Sequence, residues 1–95
     1  MYARITSFKV DPARTSELAL KSAQLQGRAR AIPGLASAYA AWREDGQGLL
    51  IALYEDKAAA DRAVGRLQAL WGNLAGLVNA PPRVDVYDSV VHLTG

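Results

Sequence analysis

The chain has 95 residues, enough for one domain around a single core. Hydrophobic residues make up 51% and charged residues 21%, a globular composition, and eleven basic against nine acidic side chains leave a net charge of +2. That excess is small and scattered, so it gives no argument for a polyanionic partner. The absence of cysteine excludes disulfides, thiolate catalysis and zinc–cysteine sites.

No apolar run approaches the roughly 20 residues needed to span a bilayer. The N-terminus enters an alternating pattern directly, without the apolar core of a signal peptide. A cytoplasmic protein with no membrane association is expected.

Tyr2 to Val10 alternates loosely and is rich in strand-forming residues. Asp11-Pro12 supplies a cap and a first-turn proline for a helix. Leu18, Leu25, Ala29 and Ile32 recur at helical spacing until Pro33-Gly34 ends the helix. Leu35 to Arg43 reads as the second strand, Glu44 to Gly48 as a hairpin loop, and Leu49 to Glu55 as the third strand. Asp56 caps the second helix, whose apolar stripe runs through Val64, Leu67, Trp71, Leu74 and Val78. Gly72-Asn73 and Gly76 predict a bend or break there. Arg83 to Leu93 reads as the last strand, about twice the mean strand length.

The element order is β-α-β-β-α-β over a single domain, residues 1–95. This is the ferredoxin-like α+β arrangement, with two helices on one face of a four-stranded antiparallel sheet. The other sheet face should meet water and alternate with polar residues. Counting by parity gives a different picture. Leu35, Tyr39 and Ala41 fall opposite Ala36, Ala38, Ala40 and Trp42. Leu49, Ile51 and Leu53 fall opposite Leu50, Ala52 and Tyr54, and Val84, Val86 and Val90 opposite Tyr87, Val91 and Leu93. Both faces are largely apolar, and an uncovered face of that breadth exceeds what monomers usually expose. A homodimer with its sheets face to face is expected, with the long last strand reaching toward the partner.

The segments Ile32-Pro33-Gly34-Leu35 into Ala38-Tyr39, and Gly48-Leu-Leu-Ile-Ala-Leu-Tyr-Glu-Asp-Lys-Ala-Ala59, resemble the antibiotic biosynthesis monooxygenase-like group of the dimeric α/β-barrel superfamily. The resemblance follows element order over nearly the whole chain. It implies a dimeric α/β barrel with a pocket in each subunit between sheet and helices. It also implies activity of the kind found in that group, which includes cofactor-free monooxygenases of quinol-like aromatics and haem-degrading enzymes. Family enzymes commonly place a histidine, or an Asn–Trp pair, on or after the second helix. Trp71 and Asn73 supply the pair's residue types in a different spacing; the helical histidine is missing, which disfavours haem.

His92, the only histidine, is the sole side chain whose ordinary pKa suits proton transfer near neutral pH. Asp88 shares its strand face, but four residues at about 3.3 Å each are too far apart for one ion, so no metal site is expected. Trp71 serves either as a pocket wall or as a helix-to-sheet anchor. Turn chemistry alone accounts for Asn73. Tyr39, Tyr54 and Tyr87, with Tyr2 and Trp42, form an aromatic set on the sheet, suited to stacking a planar substrate or to packing. Arg4, mid-strand, needs either a polar cavity or a carboxylate such as Asp85 or Asp88. Trp71, Asn73 and His92 are therefore the catalytic candidates, and Arg4, Tyr39, Tyr54 and Tyr87 the substrate-binding ones.

No dinucleotide or P-loop fingerprint and no Gly-x-Ser-x-Gly elbow occurs. The third strand is aliphatic where an RNA recognition motif would stack bases, so no nucleic-acid partner is expected. Two functions remain open. One is a cofactor-independent monooxygenase of a small aromatic or quinol-like substrate. The other is a non-catalytic dimeric protein that binds small molecules or plays a structural part.

Overall fold

The computed structural model describes residues 1–94. Strands β1 (Tyr2–Lys9), β2 (Leu35–Trp42), β3 (Gln47–Tyr54) and β4 (Arg83–Tyr87) form one antiparallel sheet in the order β2-β3-β1-β4. Helices α1 (Thr15–Gln24), α2 (Gln26–Arg30) and α3 (Lys57–Gly72) connect them. This is the ferredoxin-like β-α-β-β-α-β fold read from the sequence, with the first helix divided in two.

Local chemistry sets the boundaries. The Asp11 carboxylate accepts from the Ala13 amide at 2.9 Å, but it caps a 3-10 turn, Pro12–Arg14, and α1 starts one turn later. At Gly34 (φ 78°) the chain turns so close to α3 that a Cβ would lie 2.6 Å from the Ala59 Cβ. Only glycine satisfies both the backbone and that approach. The Asp56 carboxylate accepts from the Ala59 amide at 2.7 Å and caps α3. As Gly72-Asn73 predicted, α3 stops there, and a 3-10 turn follows at Ala75–Leu77.

Two buried clusters pack between helices and sheet. One joins Ile32, Ala52, Tyr54 and Leu70 to the α3 alanines Ala59, Ala60 and Ala63. The other joins Phe8, Val10, Leu18, Leu74 and Leu77. Each large aliphatic side chain removed from water contributes about 1.5–3 kcal/mol. Phe8 meets Trp71 ring to ring at 5.8 Å, tilted by 58°. Trp71 therefore anchors α3 to the sheet.

The register corrects the parity count in β2 and agrees with it in β4. A bulge between Leu35 and Ser37 moves Leu35 to the helix side, while Ser37, Tyr39 and Ala41 stay on the open side. In β4 the pairing puts Arg83, Asp85 and Tyr87 on the open side and Val84 and Val86 on the helix side. The open face thus carries Ala3, Ile5, Leu49, Ile51, Leu53, Tyr39, Ala41 and Tyr87, with a polar corner where Arg83 Nε meets Asp85 Oδ2 at 3.3 Å. Tyr39, Tyr87 and Leu49 are 58%, 52% and 40% exposed. The helices also leave the inner side of β4 uncovered, so Val84 and Val86 are exposed.

The last strand is shorter than expected. It ends at Tyr87, opposite Ala3, because β1 has almost no chain left to pair beyond that point. Val91 and Leu93 follow as exposed residues outside the sheet. Among the described residues, no helix is long and apolar enough to cross a membrane.

Candidate functional site

The two core clusters are distinct, with the half-buried Leu25 packed against both. Between them lies a cavity of about 350 Å³, with Ala52 and Leu70 of one cluster and Leu74 of the other on its walls. Its origin is a mismatch of small residues. Ala19, Ala23 and Ala29 of the first helical region face Ala38, Ala40 and Ala52 of the sheet, and alanine opposite alanine leaves space that leucines would fill. Ala38 and Ala40 are exposed although they lie on the helix side, so the cavity opens along the edge strand β2.

Trp42 from the end of β2 and Trp71 from α3 contribute aromatic walls; Tyr39, between Ala38 and Ala40, borders the cavity along the edge strand while its ring lies on the open face. Ser22 and Gln26, one helical turn apart, add the hydroxyl and amide groups. The Ser22 Oγ is buried and has no hydrogen-bond partner. A buried unpaired hydroxyl costs about 1–3 kcal/mol, which a ligand atom that reached it would recover. Among the described residues, the lining holds no charged side chain. Such a cavity favours flat neutral molecules and penalises ions, which would lose hydration without gaining a counter-charge.

The sequence candidates fall in several places. Trp71 lines this cavity, and Tyr39 borders it along β2 with its ring on the open face. Asn73 lies outside it. Its side chain donates to the Ala69 carbonyl at 3.2 Å at the end of α3, and it borders a separate polar hollow with Lys21, Gln24 and Arg28. His92 is in the exposed tail, where its Nε2 lies 3.1 Å from the Thr94 hydroxyl. Tyr87 is on the open sheet face.

Arg4 and Tyr54 share the inner face of the sheet, outside the cavity lining. Asp85, one suggested partner of Arg4, is engaged with Arg83 instead, and the Arg4 Nε is buried without a partner. The Tyr54 hydroxyl is likewise buried and unpaired. Burial raises the Tyr54 pKa above its usual 10.0, against a smaller opposing pull from the Arg4 charge. The phenol is therefore neutral through the physiological range.

Sequence reasoning passed over Ser22 and Gln26. The small-residue run Ala19, Ser22, Ala23 on one helix face was the available signal, but an alanine stripe more often marks close helix packing than a hollow. No group of three or more His, Cys, Asp or Glu among the described residues is placed to hold a metal ion.

The fold is that of the antibiotic biosynthesis monooxygenase group. A solved structure described as an antibiotic biosynthesis monooxygenase has a TM-score of 0.75 at 18% identity, covering 96% of this chain and 100% of the other. NE2512, a protein of unknown function from Nitrosomonas europaea, has a TM-score of 0.80 at 19% identity, covering 96% and 90%. A mutant of SnoaB, a cofactor-independent oxygenase from Streptomyces nogalater, has 0.73 at 20%, covering 99% and 97%. At these identities the likeness is one of fold. No protein-family model matches the sequence, and no protein of curated function matches it significantly.

Proposed function

We propose that the chain is a cofactor-independent monooxygenase whose small aromatic, quinol-like substrate lies in the cavity between β2, α1 and α3. The observation that carries this reading is the aromatic-walled apolar cavity, set in a fold shared with an oxygenase that uses no cofactor. Its volume is at the lower end of the roughly 300–1,000 Å³ typical of small-molecule sites, which suits a ligand of two or three rings.

The chemistry asks little of the protein. An electron-rich ring carbon that has lost its proton reduces O₂ directly. Insertion of one oxygen atom and loss of the other as water, CH₂ plus O₂ to C=O plus H₂O, balances without an outside reductant. The protein's part is to hold the ring, exclude bulk water and keep O₂ beside the reacting carbon. Trp71 and Trp42 orient the ring, and the mouth opens past Ala38 and Ala40. Proton loss then relies on the substrate's own acidity, with water at the mouth as acceptor.

The fold also supports a homodimer in which two copies bring their open sheet faces together. The apolar residues Ile5, Ile51, Leu53 and Leu49 fill the middle of that face, and a second copy is the simplest apolar cover. A single domain, residues 1–95, in the cytoplasm completes the reading.

Oxygen uptake tests the function. Purified protein, treated with chelator and free of added cofactor, should accelerate oxygen consumption by at least one member of a panel of small quinols and fused-ring phenols. Uptake no faster than in buffer across the panel would count against catalysis. A second reading, a non-catalytic small-molecule binder, has one observation in its favour: the lining holds no carboxylate or imidazole to take a proton. Ligand binding without turnover is the outcome that reading predicts.

A further inference from the structure

Ser22 lies near the end of α1 with its Oγ enclosed at the cavity wall. A helical serine in an apolar setting ordinarily returns its proton to the carbonyl four residues back. Here that bond is not made, and the hydroxyl has no other partner. Around it stand alanine, leucine and tryptophan side chains, and no charged side chain among the described residues shares the lining. Gln26, at the start of α2 and exposed, can reach only the outer end of a ligand.

We propose that Ser22 is the specificity-determining anchor of the cavity, selecting a neutral planar aromatic ligand through a hydrogen bond to one hydroxyl or carbonyl oxygen. The inference rests on the cavity being the binding site and does not require catalysis. It has two consequences. A ring bearing such an oxygen should be preferred over the bare ring, because it satisfies a donor that otherwise stays unpaired. An anionic substituent should be rejected, because the cationic groups nearby, Lys21 and Arg28, border the neighbouring hollow and not this cavity.

Three probes of one ring system separate these effects: 1-naphthol, naphthalene and 1-naphthoate, titrated at pH 7 with tryptophan fluorescence and calorimetry as readouts. The intact protein should bind 1-naphthol roughly tenfold more tightly than naphthalene, and 1-naphthoate most weakly. Ser22→Ala should bring 1-naphthol to within about twofold of naphthalene while leaving naphthalene affinity unchanged. Without ligand its melting temperature should be equal or higher, since the variant removes an unpaired hydroxyl and favours helix. Ser22→Cys, similar in shape but a poor donor, should lose the preference in the same way.

Equal 1-naphthol affinity in Ser22→Ala and the intact protein would overturn the proposal. So would tightest binding of 1-naphthoate, which would move the site to the Lys21–Arg28 hollow, or no binding of any probe. Because the readout is affinity, an absence of oxygen uptake leaves this result standing. Turnover of quinols with no preference for 1-naphthol would remove the anchor and keep the enzyme.

Discussion

Tyr54→Ala is expected to lose about 3–5 kcal/mol of stability, the largest effect of any single core truncation in this chain. Tyr54 is fully buried, and its ring joins the α3 alanines and Ile32 to the centre of the sheet. Chemical denaturation should show the midpoint falling with little change in slope. Tyr54→Phe should behave oppositely, because it keeps the ring and removes a hydroxyl that has no partner. Its stability should equal or exceed that of the parent.

The same residue gives a pH dependence. The folded-state pKa of Tyr54 is raised above the unfolded value of 10.0. The stability that arises from keeping it protonated is therefore fully present below about pH 10 and is lost as pH rises through the folded value. Denaturation midpoints measured from pH 8 to pH 11.5 should fall more steeply for the parent than for Tyr54→Phe. Parallel curves for the two proteins would contradict the assignment.

The second large effect concerns assembly. Ile51 is central on the open face, between Ile5 of β1 and Tyr39 of β2. In the proposed dimer, Ile51→Asp would bury an unpaired carboxylate, at a cost of about 3–5 kcal/mol for each copy. The dimer should weaken by at least about a hundredfold. Light scattering at tens of micromolar should give the mass of two chains for the parent and of one chain for the variant. Circular dichroism of the variant should remain native, since in the single chain the new carboxylate faces water. A parent of single-chain mass would remove the proposed cover from this face.

Local signals with a single physical solution were legible in the sequence. Pro33-Gly34 ends a helix where only glycine fits against Ala59, and Asp56 caps α3 through the Ala59 amide. The break after Gly72 and the hairpin at Gly46 (φ 89°) were legible for the same reason. Features set by a partner elsewhere in the chain were not. Val90, Val91 and Leu93 have strand-forming side chains, but β4 stops where β1 runs out of residues to pair with. Propensity cannot see that limit, and it placed His92 on a strand that in fact ends at Tyr87. The bulge at Leu35–Ser37 reversed one parity in β2 and is likewise a property of pairing with β3. The site was read through its largest side chains. Trp71 does line the cavity, whereas the Tyr39 ring lies on the open face, and the hollow itself comes from small residues on facing elements, a property of two surfaces that neither segment displays alone.

Oxygen uptake in a protein whose cavity has been stoppered tests the account most directly. Ala38 lies at the cavity mouth on the exposed helix side of β2, where an indole can occupy the opening without disturbing the buried clusters. With a fused-ring quinol that the parent oxidises, Ala38→Trp should reduce uptake at least about tenfold at an unchanged melting temperature. Equal uptake by the parent and the stoppered protein would place the chemistry elsewhere and contradict the account.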